Sequence, residues 1–100
     1  VVPDGCHDMH DCPVRTGDRW LARTIPALLD LPDTVVFVTF DEGTAANHVP
    51  ALALGTAVKP NSSFAPRTNH YGLLRTIEDA WGLPRLGRSA RVAPVSGIWR

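Results

Sequence analysis

The length and composition of the chain exclude several classes of protein. It has 100 residues, of which 44% are hydrophobic and 20% are charged, a composition typical of a globular domain and not of a disordered chain. Ten Lys and Arg residues balance ten Asp and Glu residues, so no excess of positive charge favours nucleic acid or an anionic membrane as the partner. No apolar run is longer than that of Val35–Val38, which is far shorter than the ~20 residues of a transmembrane helix. We expect neither nucleic-acid binding nor a transmembrane segment.

Residues 1–17 are predicted to form an ordered loop, and this loop contains both cysteines. Cys6 and Cys12 flank five residues, a spacing at which a turn can bring the two sulfurs together in a disulfide. A disulfide would indicate an oxidising compartment. Two reduced thiols are an alternative. A third is a zinc site that adds His7 and His10 to the two cysteines, although so short a loop strains a tetrahedral arrangement.

Hydrophobic patterning predicts one helix and two strands in the first half of the chain. Asp18 is the predicted N-cap of a helix that runs to about Asp30, and Pro26 is expected to kink or break it. The β-branched and aromatic stretch 34–40 predicts a strand buried on both faces. A second strand is predicted over residues 49–54. Because the loop between the strands is too short for a parallel crossover, the two strands must be antiparallel if they are neighbours.

A second helix is predicted over residues 70–81, with Thr68 or Asn69 as its cap. Its spacing predicts an apolar face that comprises Leu73, Leu74, Ile77, Ala80 and Trp81. The alternation of helices and strands favours an α/β fold.

The rest of the C-terminal region offers few signals. Arg75 and Glu78 are three residues apart and are interpreted as a surface ion pair. No regular element is predicted beyond Leu86, and residues 87–100 are interpreted as a solvated tail. This interpretation includes the local excess of basic side chains at Arg85, Arg88, Arg91 and Arg100.

An acidic pair follows the most apolar predicted strand. Asp41 and Glu42 lie at its carboxyl end, which is where ligands collect in open α/β sheets. Two adjacent carboxylates beside an apolar core stay ionised only with a cation or several hydrogen-bond donors nearby. The pair is therefore a candidate site for a divalent metal ion, for which carboxylate oxygens are suitable ligands. The alternative is a polar strand-to-loop junction.

The other candidate functional residues are histidines and further aspartates. The loop segment His7–Asp11 holds two histidines and two aspartates, and imidazole can bind a metal, donate to phosphate or transfer a proton near neutral pH. His70 begins the second predicted helix, where backbone N–H groups favour anions. The alternative for His7, His10 and His70 is ordinary polar surface, which is also our interpretation of His48.

Five motifs, in sequence order, resemble those of the phosphoesterase family of bacterial acid phosphatases and phospholipases C. The resemblance covers about residues 3 to 88. Each motif is weak alone, but their order makes the match specific. The motifs are Asp8–Asp11, Gly17–Leu21, Val38–Gly43, His48–Pro50 with Val58–Pro60, and His70–Glu78 with Gly82–Pro84.

The resemblance implies the C-terminal part of an alkaline-phosphatase-like α/β/α sandwich, with two helices and two or more strands. It implies that Asp41 and Glu42 bind a divalent metal ion and that His10 is catalytic, next to the substrate phosphate. His70, Asp11 and His7 are implied as possible substrate or metal contacts. The family's nucleophile is a Ser or Thr in an N-terminal Glu-Asn-x-Ser-Phe type of motif, which this sequence does not contain.

Two positions depart from the family pattern. His7 occupies a position where Asn is common, which could add a ligand or change a loop hydrogen bond. Gly72 occupies a position where Ser is common, which affects the chemistry of the helix start. Ser62 and Ser63 are not expected to replace the nucleophile, since no strand-to-helix elbow or base lies near them in sequence.

The sequence thus predicts one part, residues 1–100, of a phosphoric ester hydrolase domain whose active-site loop is 1–17. Its substrate would be a phosphate ester small molecule or a phospholipid, and the missing N-terminal part of the same domain would complete the site. The resemblance and the possible disulfide imply a secreted or cell-envelope protein, and the isolated 100 residues are expected to be inactive. A non-catalytic metal- or ligand-binding module is the alternative.

Overall fold

The computed structural model describes all 100 residues. They form two compact units, Val1–Ala57 and Val58–Arg100. Two α-helices and a two-stranded antiparallel sheet make up most of the regular structure, which confirms a small α/β arrangement. Neither helix combines the length and the apolar character that a bilayer crossing requires.

In the first unit, helix α1 spans Val14–Leu29. The N-cap is Pro13, with an extended backbone (φ −59°, ψ 148°), so the predicted cap at Asp18 is wrong and Asp18 lies inside the helix. A proline suits this end of a helix because the first N–H groups have no partner inside the helix. The helix continues through Pro26 to Leu29, so the chain does not break there. Pro26 removes only one hydrogen bond near the C-terminal end.

The sheet consists of β1 (Val36–Thr39) and β2 (Ala51–Leu54). The strands are antiparallel, as predicted, with Val36 opposite Leu54 and Thr39 opposite Ala51. Both strands are shorter than predicted. The residues of β1 are half-buried or exposed, so the prediction of a strand buried on both faces is wrong for this chain. β1 pairs with β2 and contacts α1, and the rest of its surface borders a cleft.

In the second unit, helix α2 spans His70–Ala80, close to its predicted range. The side chain of Asn69 accepts hydrogen bonds from the N–H groups of Tyr71 (3.0 Å) and Gly72 (3.2 Å). These bonds satisfy two of the free donors in the first turn. A 3-10 helix spans Gly87–Arg91, and the chain end returns to form a bridge between Val58 and Trp99.

The predicted apolar face of α2 is not its buried face. Ile77 is 39% exposed and Trp81 is 79% exposed, whereas Thr76 is 7% exposed. Thr76 Oγ1 donates to the carbonyl of Gly72 at 2.7 Å and accepts from the N–H of Val95 at 2.8 Å. Hydrogen bonds to the C-terminal segment therefore determine which face of α2 is buried, and hydrophobic periodicity does not register such contacts.

The predicted surface pair of Arg75 and Glu78 is also wrong. Arg75 instead pairs with Asp79, with Nε 2.7 Å from Oδ2, and this hydrogen bond lowers the pKa of Asp79. The guanidinium also donates to the carbonyls of Ser89 (3.3 Å) and Val92 (3.2 Å). Glu78 is 2% exposed and points toward the C-terminal segment.

The C-terminal segment is packed and is not a solvated tail. Ser89 and Ile98 are 0% and 6% exposed. Glu78 accepts hydrogen bonds from the hydroxyl of Ser89 at 2.6 Å and from the N–H of Leu86 at 2.9 Å. Three of the arginines also have partners: Arg85 on Asp79, Arg88 over the Tyr71 ring and Arg100 on the carbonyl of Val58.

We expect Ser89→Ala to lower the free energy of unfolding by about 1–3 kcal/mol, since it leaves the buried carboxylate of Glu78 without one of its donors. Urea denaturation of the protein measures this change. The matched control is Ser63→Ala, at an exposed position, which should change stability by no more than about 0.5 kcal/mol. Equal effects at Ser89 and Ser63 would contradict a stabilising role for the buried pair.

Candidate active site

A disulfide closes the loop that precedes α1. Cys6 and Cys12 are bonded, with their Cα atoms 4.7 Å apart. The predicted disulfide is therefore present, and the alternatives of reduced thiols and of a zinc site built on both cysteines are wrong because each sulfur is bonded to the other. Since α1 begins at Val14, the loop is shorter than the predicted 1–17. His7 and His10 lie within the closed ring.

The loop packs closely on α1 at Gly17, which is buried. A Cβ atom at this position would overlap the side chain of Met9 and would lie 2.7 Å from the carbonyl oxygen of His7. Only a glycine allows the loop to approach the helix this closely. Gly17 therefore fixes the position of the histidine-bearing segment on α1.

The acidic pair lies just beyond β1. Asp41 and Glu42 are exposed at the start of the loop that leads to β2. The side chain of Asn47 holds this loop, because its Oδ1 accepts the N–H of Gly43 at 2.7 Å. Sequence reasoning did not single out Asn47, although Asn is a common turn residue and its positive φ of 50° fits that preference.

One cleft in the first unit brings most of the candidate residues together. Its volume is about 840 Å³, and α1 and β1 supply apolar side chains to its walls. His7, His10, Asp41 and Glu42 all line it. A smaller hollow of about 440 Å³ includes Glu42 and His48 but neither loop histidine. The larger cleft is therefore our candidate active site.

Two candidates are not among the cleft residues. Asp11 contacts His10, which lines the cleft, and its Oδ1 lies 2.9 Å from Nδ1 of the imidazole. His70 is the first residue of α2 and belongs to the second unit. Its position at a helix N-terminus agrees with the sequence prediction, and its role as a substrate or metal contact stays a prediction.

The imidazole of His10 is affected by several nearby carboxylates. Its pKa is raised above the ordinary value of 6.5, first by the hydrogen bond and charge of Asp11 and then by the charges of Asp8 and Glu42. The carboxylate of Glu42 therefore lies within electrostatic reach of the loop. The loop is also ordered locally, since Oδ1 of Asp8 accepts the N–H of His10 at 2.8 Å.

We expect the NMR titration midpoint of His10 to lie above 6.5 and to fall in Asp11→Asn, because the variant removes the main partner of the imidazolium. The raised pKa of His10 also makes the stability of the protein depend on pH. The favourable contacts are fully present below the pKa of the unfolded chain, and they are lost as the pH rises through the higher folded pKa. An unchanged midpoint in Asp11→Asn would contradict this pairing.

The donor set fits a divalent metal ion only in part. Asp41 and Glu42 offer consecutive carboxylates, and hard divalent ions prefer oxygen ligands. No group of three or more His, Cys, Asp or Glu side chains is placed to hold a metal ion. The pair can thus supply some ligands of an octahedral ion, and the remaining ligands would come from substrate, water or other parts of the protein.

Comparison with known proteins identifies the family. The Phosphoesterase family matches residues 1–84, and the chain belongs to this family. The resemblance drawn from the motifs is thereby confirmed at the level of the family. No solved structure matches the chain.

Curated relatives with similar sequences are phosphatases. The chain is 34% identical to a phosphatidylinositol-3-phosphatase of Mycobacterium tuberculosis, over 99% of the chain and 34% of the relative. It is 31% identical to an acid phosphatase of Aspergillus fumigatus, over 88% of the chain and 22% of the relative. A phosphate-repressible acid phosphatase of Penicillium chrysogenum is 29% identical, over 88% of the chain and 24% of the relative. The chain thus spans between about a fifth and a third of the length of these relatives.

Proposed function

We propose that the protein hydrolyses phosphoric esters and that the cleft of the first unit is part of its active site. The observation that supports this proposal most strongly is that His7, His10, Asp41 and Glu42 line the same cleft. Family membership and the phosphatase relatives point to the same chemistry.

In this proposal His10 contacts the phosphoryl group. Asp11 holds Nδ1 of the imidazole, so Nε2 is the atom that can donate to a phosphate oxygen or protonate the leaving oxygen. Asp11 therefore acts through His10 and does not itself touch the substrate. The disulfide and Gly17 position the imidazole, since they close the loop and seat it on α1.

Asp41 and Glu42 would hold the divalent metal ion that the family resemblance implies. Such an ion would supply positive charge to neutralise the charge that develops on the phosphoryl oxygens. The chain's own contribution is the placement of two carboxylates beyond β1. Asn47 stabilises the turn that follows them.

The nucleophile is proposed to lie outside these 100 residues, in an N-terminal part of the same α/β/α domain. The expected substrates are phosphate monoesters, or diesters that include phospholipids. The disulfide supports a secreted or cell-envelope location, because such bonds persist in oxidising compartments.

The direct test is hydrolysis of an aryl phosphate monoester and an aryl phosphate diester, assayed with added Mg²⁺, Mn²⁺, Ca²⁺ or Zn²⁺. The intact protein should release the aryl alcohol from at least one of the esters. The 100-residue chain alone should not, because the nucleophile is proposed to lie outside it. Rapid turnover by the 100-residue chain would refute the claim that its nucleophile lies elsewhere. No turnover by the intact protein with any ion would refute the proposed function.

A further inference from the structure

Asp4 and His7 form a second carboxylate–imidazole pair in the loop before α1. Oδ1 of Asp4 lies 2.8 Å from Nδ1 of His7 and accepts the backbone N–H of the same residue at 3.0 Å. These hydrogen bonds, the backbone one first, lower the pKa of Asp4, so its carboxylate accepts and Nδ1 carries the proton. Nε2 is then the ring atom left for another contact.

The ring of His7 is held in place at the cleft. Its side chain is 33% exposed, and its centroid lies 6.3 Å from that of the Trp20 ring at an interplanar angle of 38°. The carbonyl of His7 packs against Gly17. His7 lines the same cleft as His10 and Glu42.

The side chains that line the cleft are mostly acidic among those that carry charge, which makes its two imidazoles important for binding an anion. Asp8, Asp41 and Glu42 line it, and no Lys or Arg side chain does. These carboxylates repel an anionic phosphate ester, and cationic side-chain donors would offset that repulsion alongside the ion proposed at Asp41 and Glu42. Among the side chains that line the cleft, His7 and His10 are the ones that can carry positive charge.

We propose that His7 is a second phosphate contact, which donates to the substrate from Nε2 when its ring is protonated, and that Asp4 is the positioning residue that fixes its ring. This inference rests on the proposed function. An Asn at this position would not make the same contact, because its amide does not reach as far as Nε2.

The test compares His7→Asn with His7→Gln in the intact protein, on an aryl phosphate. The side-chain amide of Gln reaches the position of Nε2, whereas that of Asn reaches only the position of Nδ1. His7→Asn should lower kcat/KM by about 10- to 100-fold, the effect of one hydrogen bond to a charged group. It should also weaken inhibition by inorganic phosphate. His7→Gln should restore at least part of both.

The role of Asp4 is tested by a double-variant cycle. Asp4→Asn should lower kcat/KM by about 10-fold in the wild type and by much less when residue 7 is already Asn. The matched control is Asp33→Asn, which makes the same charge change at an exposed residue with a φ of 52°, a conformation that Asn tolerates. This control should leave kcat/KM unchanged.

Each outcome decides between the claims. Equal activity of His7→Asn and the wild type would show that His7 does not contact phosphate. Equal losses in His7→Asn and His7→Gln would show that His7 only supports the structure of the loop. Full additivity of the Asp4 and His7 changes overturns the positioning role. If the wild type hydrolyses no phosphate ester, the proposed function fails and this inference fails with it.

Discussion

Asp41→Asn should lower kcat/KM for phosphate ester hydrolysis about 1000-fold or more if the acidic pair holds a catalytic ion. The substitution keeps the size of the side chain and removes one of two adjacent negative charges beyond β1. Because Asp41 is exposed, removal of its charge should affect the reaction far more than the folding of the chain. Steady-state kinetics of the intact protein over a range of Mn²⁺ concentrations measures the loss.

Asp33→Asn is again the matched control, since it makes the same change at an exposed site outside the cleft. The same experiment addresses the alternative of a non-catalytic metal- or ligand-binding module. In that case Asp41→Asn would lower the melting temperature in the presence of metal and leave any hydrolysis unchanged. A wild-type rate in Asp41→Asn would contradict the catalytic assignment.

His10→Asn should lower kcat by about 10²- to 10⁴-fold, the range for loss of a positioned acid or base. The imidazole lines the cleft and is exposed, and nearby carboxylates favour its protonated form. Activity that needs this proton should fall as the pH rises through the raised pKa of His10. A pH profile of kcat for the wild type and for Asp11→Asn measures this, and the variant should lose activity at a lower pH.

A series of aryl phosphates separates two roles for His10. If the imidazole protonates the leaving oxygen, the loss in His10→Asn grows as the leaving group becomes more basic. If it only contacts a phosphoryl oxygen, the loss is the same for every leaving group. His48→Asn, a histidine outside this cleft, is the control. Equal rates for His10→Asn and the control would remove His10 from the mechanism.

Local sequence signals predicted the fold well where local interactions decide it. The cap at Asn69 and the antiparallel pairing of the strands depend on nearby residues, and both predictions agree with the structure. The start of α1 was missed because Asp18 is a good cap by residue type, whereas the chain enters the helix from Pro13. The buried face of α2 was missed because contacts of Thr76 and Glu78 with a distant segment decide it.

The candidate site was predictable to a similar extent. The acidic pair and the two loop histidines stand out as unusual concentrations of polar groups, and the structure places all four at one cleft. The supporting residues were not predicted. Asp4 bonds the ring and the backbone N–H of His7, and Asn47 bonds the backbone N–H of Gly43. Residue type alone does not reveal such partners. Gly17 was part of a motif, but its close contact with the loop required the structure.

Anomalous scattering from crystals of the intact protein with Mn²⁺ and inorganic phosphate tests the central claim most directly. The proposed site predicts a manganese peak within bonding distance of both Asp41 and Glu42, with the phosphate in contact with His10. Crystals of an active preparation in which no ion lies beside that pair, and phosphate binds elsewhere, would contradict it.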